Sequence, residues 1–223
     1  MMRFPSILLL GAATGYFVYR ANRRKILNVS DIELCSSDRA GSELSCAAAL
    51  LKYYHCNTAW EQLKDRIPKS TLKQTPDGAV WKSPKEYFIG NSDSADALGC
   101  YAPVVAATMN TFLVEKGWRR AADLTGTDFS KLLSNIDHGD PVIIWATRGM
   151  KPSYPGRIWK MPGTKETFTW IEPEHCFLLV GYDGDGYYFC DPDLPDGIIR
   201  YERKLVEERY NELGSQAIAA LVY

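Results

Sequence analysis

The stretch PEHCFLLVGYDGDGYYFCDP, residues 173–192, constrains the fold more than any other part of the chain. Two runs of apolar and aromatic residues flank Asp183-Gly184-Asp185-Gly186, a sequence typical of a hairpin turn. The runs therefore predict paired antiparallel strands over 175–182 and 187–190. A buried strand over 141–147 and shorter apolar runs extend the predicted sheet (26–29, 167–171, 198–201 and 217–223).

Helical patterns dominate the first half of the chain. The alanine-rich run SELSCAAALLKYY predicts a helix over 42–54, and Thr58 is the expected cap of a second helix that Pro68 ends. Further helices are predicted over 102–116, 129–136 and 204–213. Residues 68–99 and the Gly-, Pro- and aromatic-rich segment 148–166 are expected to be loops, the second one a possible lid. Helices followed by antiparallel strands predict an α+β fold.

The first 25 residues predict a membrane-targeting segment, which leaves residues 26–223 as a single domain. Residues 4–19 are uncharged and mostly apolar, and four basic residues follow by position 25. This run is shorter than the ~20 residues of a spanning helix and also matches a signal-peptide core. We favour a retained anchor because the aromatic residues at 16, 17 and 19 suit the membrane interface. A cleaved signal and a buried N-terminal helix are the alternatives.

Charge and cysteine usage exclude several classes of function. The 26 basic and 27 acidic residues give a net charge of -1, so no basic field predicts nucleic-acid binding. The six cysteines include no C-x-x-C pair and only three histidines accompany them, so we predict neither a metal site nor a cofactor. Cys176 and Cys190, on the predicted hairpin, are expected to be buried thiols, with a disulfide as the alternative.

His175 is the strongest candidate for a catalytic residue. It begins an apolar strand, and Asp191 follows the hairpin turn sixteen residues later. A carboxylate beside an imidazole orients the ring and stabilises its protonated form. A three-residue turn at 184–186 places Asp191 opposite Leu179, so a strong twist or a bulge is needed to bring the pair together. A structural histidine and a turn aspartate are the alternative interpretation.

Ser42 stands at the predicted start of the first helix. Free backbone N–H groups and the helix dipole at such a position stabilise a nucleophile and an oxyanion. Cys46 lies one helical turn further on, and Cys35 precedes the helix. The tryptophans at 145, 159 and 170 are expected either to form the wall of a peptide groove or to pack in the core.

From about residue 26 onward the chain resembles the bacteriocin-leader (double-glycine) peptidase-like proteins, the C39-like branch of the papain-like cysteine peptidases. Gly41-Ser42-Glu43, the alanines that follow, and Tyr53-Tyr54 match the family's nucleophile helix. Four further segments agree in order and spacing: FIGNSDSADALGCYAPV, PVIIWAT, TWIEPEHC and LGSQAI. The resemblance implies a papain-like fold with His175 as general base and Asp191 as orienting acid.

The chain departs from this family pattern at the nucleophile. Ser42 occupies the position of the family's cysteine, Arg39-Ala40 replaces its Pro-Thr, and no glutamine precedes Ser42 to help form an oxyanion hole. A hydroxyl needs a base to remove its proton, and a missing oxyanion donor costs about 3 kcal/mol of barrier. Four explanations stay open: an inactive peptide-binding protein, an engineered replacement of cysteine, a working serine nucleophile, or another cysteine in its place.

The expected function is that of a membrane-tethered peptidase-like protein that cleaves or binds peptides, with Ser42, His175 and Asp191 as its site. The alternative is a catalytically inactive pseudopeptidase or partner subunit. The expected partner is a peptide or protein substrate, and the sequence does not identify any further protein partner. The basic residues that follow the apolar run favour the cytoplasmic face, whereas the family resemblance implies the outer face, which we favour.

Overall fold

The computed structural model describes residues 24–29, 41–76, 78–91, 94, 97–114, 117 and 119–222. Residues 1–23 of the predicted targeting segment lie outside this part of the chain, and so does Cys35. Among the described residues, no helix combines the length and the apolar character that crossing a bilayer requires.

Five α-helices are described. Helix α1 (Ser42–Tyr53) begins after Gly41, whose φ of 71° is left-handed, and agrees closely with the predicted helix. In α2 (Trp60–Arg66) the predicted cap is wrong, because Ala59 precedes the first turn and its N–H donates to the Gln62 side chain at 3.0 Å. The other three are α3 (Ala102–Leu113), α4 (Phe129–His138) and α5 (Arg203–Glu212).

A seven-stranded antiparallel sheet forms the centre of the domain. Its strands are β1 (Lys25–Ile26), β6 (Arg119–Asp123), β7 (Val142–Thr147), β10 (Glu174–Tyr182), β11 (Gly186–Asp191), β12 (Leu194–Glu202) and β13 (Ala217–Val222). The strand order is β12-β11-β10-β7-β13-β6, and β1 pairs with the end of β10. The sheet confirms the antiparallel half of the α+β prediction, although β6 was not predicted.

Two segments that were predicted to be loops contain strands. Between α2 and α3 lie β2 (Lys69–Ser70), β3 (Lys73–Thr75), β4 (Gly78–Val80) and β5 (Phe88–Ile89). The predicted loop over 148–166 is wrong in part, because β8 (Tyr154–Lys160) pairs with β9 (Thr167–Glu172) in a second sheet, of order β3-β4-β8-β9. Aromatic side chains anchor this sheet: Trp159 lies opposite Phe168, and its ring is almost fully buried.

Helices cover both faces of the central sheet, and side-chain alternation along β10 separates two apolar cores. Cys176, Leu178 and Val180 pack in the first core with residues of α1 and α3. Phe177 and Leu179 pack in the second core with residues of α4 and α5. Such division follows from the two-residue period of a strand, since successive side chains point to opposite faces.

A bulge sets the register of the β10–β11 hairpin. Leu178 lies opposite Cys190 and Leu179 opposite Phe189, but the pairing shifts by one residue between Leu179 and Gly181. The predicted pairing of Leu179 with Asp191 is therefore wrong. The predicted need for a bulge is confirmed, because the shift moves Asp191 along β10 toward His175.

Candidate functional site

The start of α1 is tied directly to β10. The Ser42 hydroxyl accepts a hydrogen bond from the Cys176 backbone N–H at 2.9 Å, and Ser42 itself is buried. This bond joins residues 134 positions apart in sequence. It places the predicted nucleophile next to the residue that follows His175.

His175 and Asp191 form a buried pair on neighbouring strands. The Nε2 atom of the imidazole lies 2.7 Å from a carboxylate oxygen of Asp191. That same oxygen accepts the Asp193 N–H at 2.9 Å in the turn that follows β11. The Asp193 carboxylate is 3.9 Å from the same imidazole nitrogen and 3.3 Å from the Arg148 guanidinium.

The structure does not link Ser42 to the imidazole by a hydrogen bond. His175 Nδ1 is buried and has no hydrogen-bond partner among the residues that the structure describes. The ring packs edge-on against Phe177, with centroids 4.7 Å apart, and Phe177 belongs to the second core. Helix α1 packs in the first core, and Asp191, the partner of the imidazole, is the charge that most strongly raises the pKa of Cys46 on that helix after burial.

Glu43 lies between Ser42 and the loop that precedes α3. It is 2% exposed, and its carboxyl accepts the Cys100 N–H at 3.0 Å. Two glycines with positive φ make room for this carboxyl. A Cβ on Gly99 would lie 2.5 Å from Glu43 Oε1, and one on Gly41 would lie 2.9 Å from Oε2.

A second acidic residue, Glu174, completes a cluster beside Ser42. Single ligand atoms of Glu43, Glu174 and Cys176 all lie within 4.8 Å of one another. Glu174 is the residue before His175, on the strand position that shares its face with Cys176. The positive charge of Arg148 acts to lower the pKa of Glu174.

Burial dominates the electrostatics of this cluster. It raises the pKa of Glu43 from 4.5 to about 7, although hydrogen bonds from its own N–H, the Cys100 N–H and the Ser42 hydroxyl act in the opposite direction. Burial, and next the charge of Glu43, raise the pKa of Glu174 well above its ordinary value. Burial therefore favours the protonated form of both carboxyls.

The cysteines near the cluster are neutral thiols. Burial, reinforced by Glu43 and Glu174, raises the pKa values of Cys46, Cys100 and Cys176 well above the ordinary value for a thiol. All five described cysteines are free and buried, as predicted for Cys176 and Cys190. Since the thiolate is the reactive form, this environment opposes the alternative in which Cys46 is the nucleophile.

Two groups of residues have the spacing of metal ligands: the Glu43–Glu174–Cys176 cluster, and His175 with Asp191 and Asp193. In each group, hydrogen bonds within the protein already occupy ligand atoms. Glu43 accepts a hydrogen bond from the Cys100 N–H. One oxygen of Asp191 contacts the imidazole Nε2 and also accepts the Asp193 N–H. Such acidic groups are common without an ion.

A cavity of about 450 Å³ lies beside Tyr101, and neither Ser42 nor the His175–Asp191 pair lines it. Its wall includes Tyr101, Phe168, Ile171, Leu213 and Gln216. Tyr101 follows Cys100 and stacks on Trp170 at 5.2 Å, and the charge of Glu174 contributes to the raised pKa of the Tyr101 hydroxyl after burial. The tryptophans at 145, 159 and 170 are buried in the first core and do not line this cavity, so its aromatic lining comes from Tyr101 and Phe168.

Comparisons with known proteins agree with this architecture. The domain is a mixed α/β fold on an antiparallel sheet, the architecture of a candidate C39-like peptidase from Bacillus anthracis whose crystal structure matches at a TM-score of 0.74. That match is 25% identical in sequence and covers 90% of this chain and 98% of the other. The model of the Peptidase_C39 like family matches residues 28–218 of this chain. The chain belongs to that family.

The chain is also similar to a curated protein whose name states no activity. The uncharacterized protein YvpB of Bacillus subtilis (strain 168) is 25% identical over 178 residues. The match covers 80% of this chain and 68% of that protein. The family resemblance inferred from the motifs is thereby confirmed.

Sequence reasoning missed the two glutamates. Both appeared only as parts of motifs, Glu43 beside Ser42 and Glu174 beside His175, and burial of a residue does not determine burial of its sequence neighbour. The hydrogen bond from the Cys176 N–H to the Ser42 hydroxyl could not be predicted from sequence, because it depends on how α1 packs against β10.

The stability of the protein should fall as pH rises through the titration of Glu43. The folded protein retains a proton up to about pH 7 that the unfolded chain releases near pH 4.5, so unfolding becomes easier across this window. Glu43→Gln should flatten the profile, with a difference from the wild type of about 3 kcal/mol at most between pH 5 and pH 8. Urea unfolding at a series of pH values measures this. Glu61→Gln, an exposed carboxyl on α2, is the control, and equal slopes in wild type and Glu43→Gln contradict the assignment.

Gly99→Ala should destabilise the protein more than Gly126→Ala. Both glycines have positive φ, of 108° and 87°, so either substitution costs about 1–2 kcal/mol of backbone strain. Only the new Cβ at position 99 meets the Glu43 carboxyl, whereas nothing lies within 4 Å at position 126. Thermal unfolding of both variants tests the packing, and equal losses show that the carboxyl does not depend on Gly99.

Proposed function

We propose that the protein is a peptide hydrolase of papain-like architecture in which the Ser42 hydroxyl is the nucleophile. His175 and Asp191 are its predicted base and orienting acid. The supporting observation is the buried His175–Asp191 pair at 2.7 Å, next to the Cys176 N–H that holds the Ser42 hydroxyl. The second ring nitrogen of His175 has no partner among the described residues and is open to proton transfer.

The reaction class follows from the three groups together. A hydroxyl at a helix start attacks a carbonyl when a nearby base takes its proton, and buried N–H dipoles there favour the resulting anion. Family membership supports a peptide as the substrate. The cavity beside Tyr101 and Phe168 has the size of ligand sites, ~300–1,000 Å³, and aromatic walls suit apolar side chains.

A second candidate function is peptide binding without catalysis. It is favoured by the absence, within the described part of the chain, of a hydrogen bond from Ser42 to His175. Under this alternative the cavity retains its ligand while position 42 is inert.

Peptide cleavage distinguishes the two functions. We expect the wild type to cleave members of a mixed peptide library, and Ser42→Ala to lose this cleavage while it retains peptide binding, since only the attacking oxygen is removed. Mass spectrometry of the products and equilibrium binding to the same peptides provide the two measurements. Binding without cleavage by both proteins selects the binding function, and cleavage that persists in Ser42→Ala contradicts Ser42 as nucleophile.

We further propose that residues 1–25 tether the domain to a membrane, with the domain on the extracellular face. The apolar run at 4–19 and its aromatic and basic flank support the tether. The full chain should stay with membranes after alkaline carbonate washing, whereas a chain beginning at residue 26 should be released. Protease accessibility in intact cells tests the face, and release of the full chain by the wash contradicts the tether.

A further inference from the structure

Arg148 contacts both of the chain segments that carry the His175–Asp191 pair. It directly follows β7, and its backbone N–H donates to the Pro173 carbonyl at 2.8 Å, two residues before His175. Its guanidinium lies 3.3 Å from the Asp193 carboxylate, two residues after Asp191. One residue therefore bridges the start of β10 and the end of β11, which carry the imidazole and its carboxylate partner.

Asp193 contacts the same pair from the turn between β11 and β12. Its backbone N–H donates at 2.9 Å to the Asp191 oxygen that lies 2.7 Å from the imidazole Nε2. Its own carboxylate is 3.9 Å from the same nitrogen. The backbone of Asp193 thus holds Asp191, while its side chain places a second carboxylate close to the ring.

These contacts determine which ring nitrogen can act as a base. An ionised carboxylate accepts hydrogen bonds and cannot donate them, so two carboxylates beside Nε2 keep the proton of the neutral ring on that atom. Nδ1 is left as the accepting nitrogen, and no residue within the described part of the chain hydrogen-bonds to it. Proton transfer from Ser42 to Nδ1 would leave the ring as a cation.

The charges around Nε2 are balanced when the ring is protonated. The cationic ring and Arg148 then supply two positive charges, which match the carboxylates of Asp191 and Asp193. Burial favours the protonated form of Glu174, the acidic neighbour on β10, so that residue adds little charge. The arrangement therefore suits a ring that gains a proton during the reaction.

The Arg148–Asp193 ion pair is too exposed to contribute much to stability. Its side chains are 50% and 28% exposed, and water screens such pairs. His175 and Asp191 are buried, so their separation and orientation are set by the segments that the ion pair connects. A misplacement of about 1 Å can cost a reaction ~100-fold. Loss of the ion pair should therefore affect reactivity far more than stability.

We propose that Arg148 and Asp193 are positioning residues, which hold His175 and its carboxylate partner in the orientation that lets Nδ1 accept the Ser42 proton. This inference rests on the proposed function, because it assumes that Ser42 attacks a peptide carbonyl. Both residues act through the imidazole and Asp191 rather than on the peptide.

Labelling of Ser42 by a fluorophosphonate probe measures the effect on reactivity in the full chain, held in detergent. Arg148→Gln and Asp193→Asn each remove one charge of the ion pair, and each should slow labelling by ~10–100-fold while the melting temperature stays within ~3 °C of the wild type. Arg148→Lys restores the charge and should recover part of the rate. The matched control is Arg200→Gln, which breaks a comparably exposed ion pair with Asp183 at the opposite end of β11 and should label at the wild-type rate.

The double variant Arg148→Gln/Asp193→Asn tests whether the two residues act together. Its labelling rate should fall by less than the product of the two single losses, because the second substitution removes a contact that is already broken. Losses that multiply show two independent effects and overturn the ion pair as the positioning device.

The imidazole provides a second measurement that does not depend on the reactivity of Ser42. The chain contains three histidines, so the ring signals of selectively ¹⁵N-labelled histidine can be assigned by comparison with His175→Gln. A buried Nε2–H held by a carboxylate should exchange slowly with solvent in the wild type and in Arg200→Gln. In Arg148→Gln and Asp193→Asn this signal should broaden or disappear, whereas a merely structural ion pair leaves it unchanged.

The outcomes separate this inference from the proposed function. Wild-type labelling rates in Arg148→Gln and Asp193→Asn, or an equal loss in Arg200→Gln, overturn the positioning role while peptide cleavage by the wild type stands. If the wild type neither cleaves peptides nor reacts with the probe, the proposed function fails, and the ring signal alone decides whether the two residues hold the imidazole. An unchanged ring signal in both variants overturns the proposal in either case. If Arg148→Gln does not fold, Asp193→Asn decides by the same two measurements.

Discussion

The hydrogen bond from the Cys176 N–H to the Ser42 hydroxyl fixes the arrangement on which the rest of the site depends. It connects the first helix to the central strand of the sheet at 2.9 Å, across most of the chain. Since α1 packs on one face of β10 and the strand alternates, this contact decides which side chains meet position 42. Glu174 and Cys176 lie on the near face, and His175 lies on the far face with Phe177. The site therefore contains two chemical groups, the His175–Asp191 pair and the cluster of Glu43 and Glu174 beside Ser42.

These two groups differ in how their ionisable side chains interact. The imidazole and Asp191 form a conventional pair in which the carboxylate stabilises a protonated ring. The other group places two carboxyls in a buried space, and burial raises the pKa of both.

Local patterns predicted most helices and the hairpin, because hydrophobic periodicity and turn-forming residues can be recognised within short stretches of sequence. The limits of α1 agree closely, and the need for a bulge followed from counting residues around Asp183–Gly186. Segments 68–99 and 148–166 were missed as strands because their pairing is non-local: β8 is held by β9 and by buried Trp159. The face of β10 on which His175 lies was also out of reach, since it depends on which side of the sheet α1 packs against.

The family resemblance and the local physics therefore inform different parts of the site. Resemblance identified positions 42, 175 and 191 and the family, because order and spacing of motifs survive sequence change. It could not say how position 42 works once its residue differs, because the family assignment presumes a thiol that ionises. Under that assumption, the motif comparison assigned no role to Glu43 or Glu174. With a hydroxyl in place, the chemistry of position 42 depends on its local surroundings, which include the Cys176 N–H and the buried carboxyl that lies between Gly41 and Gly99.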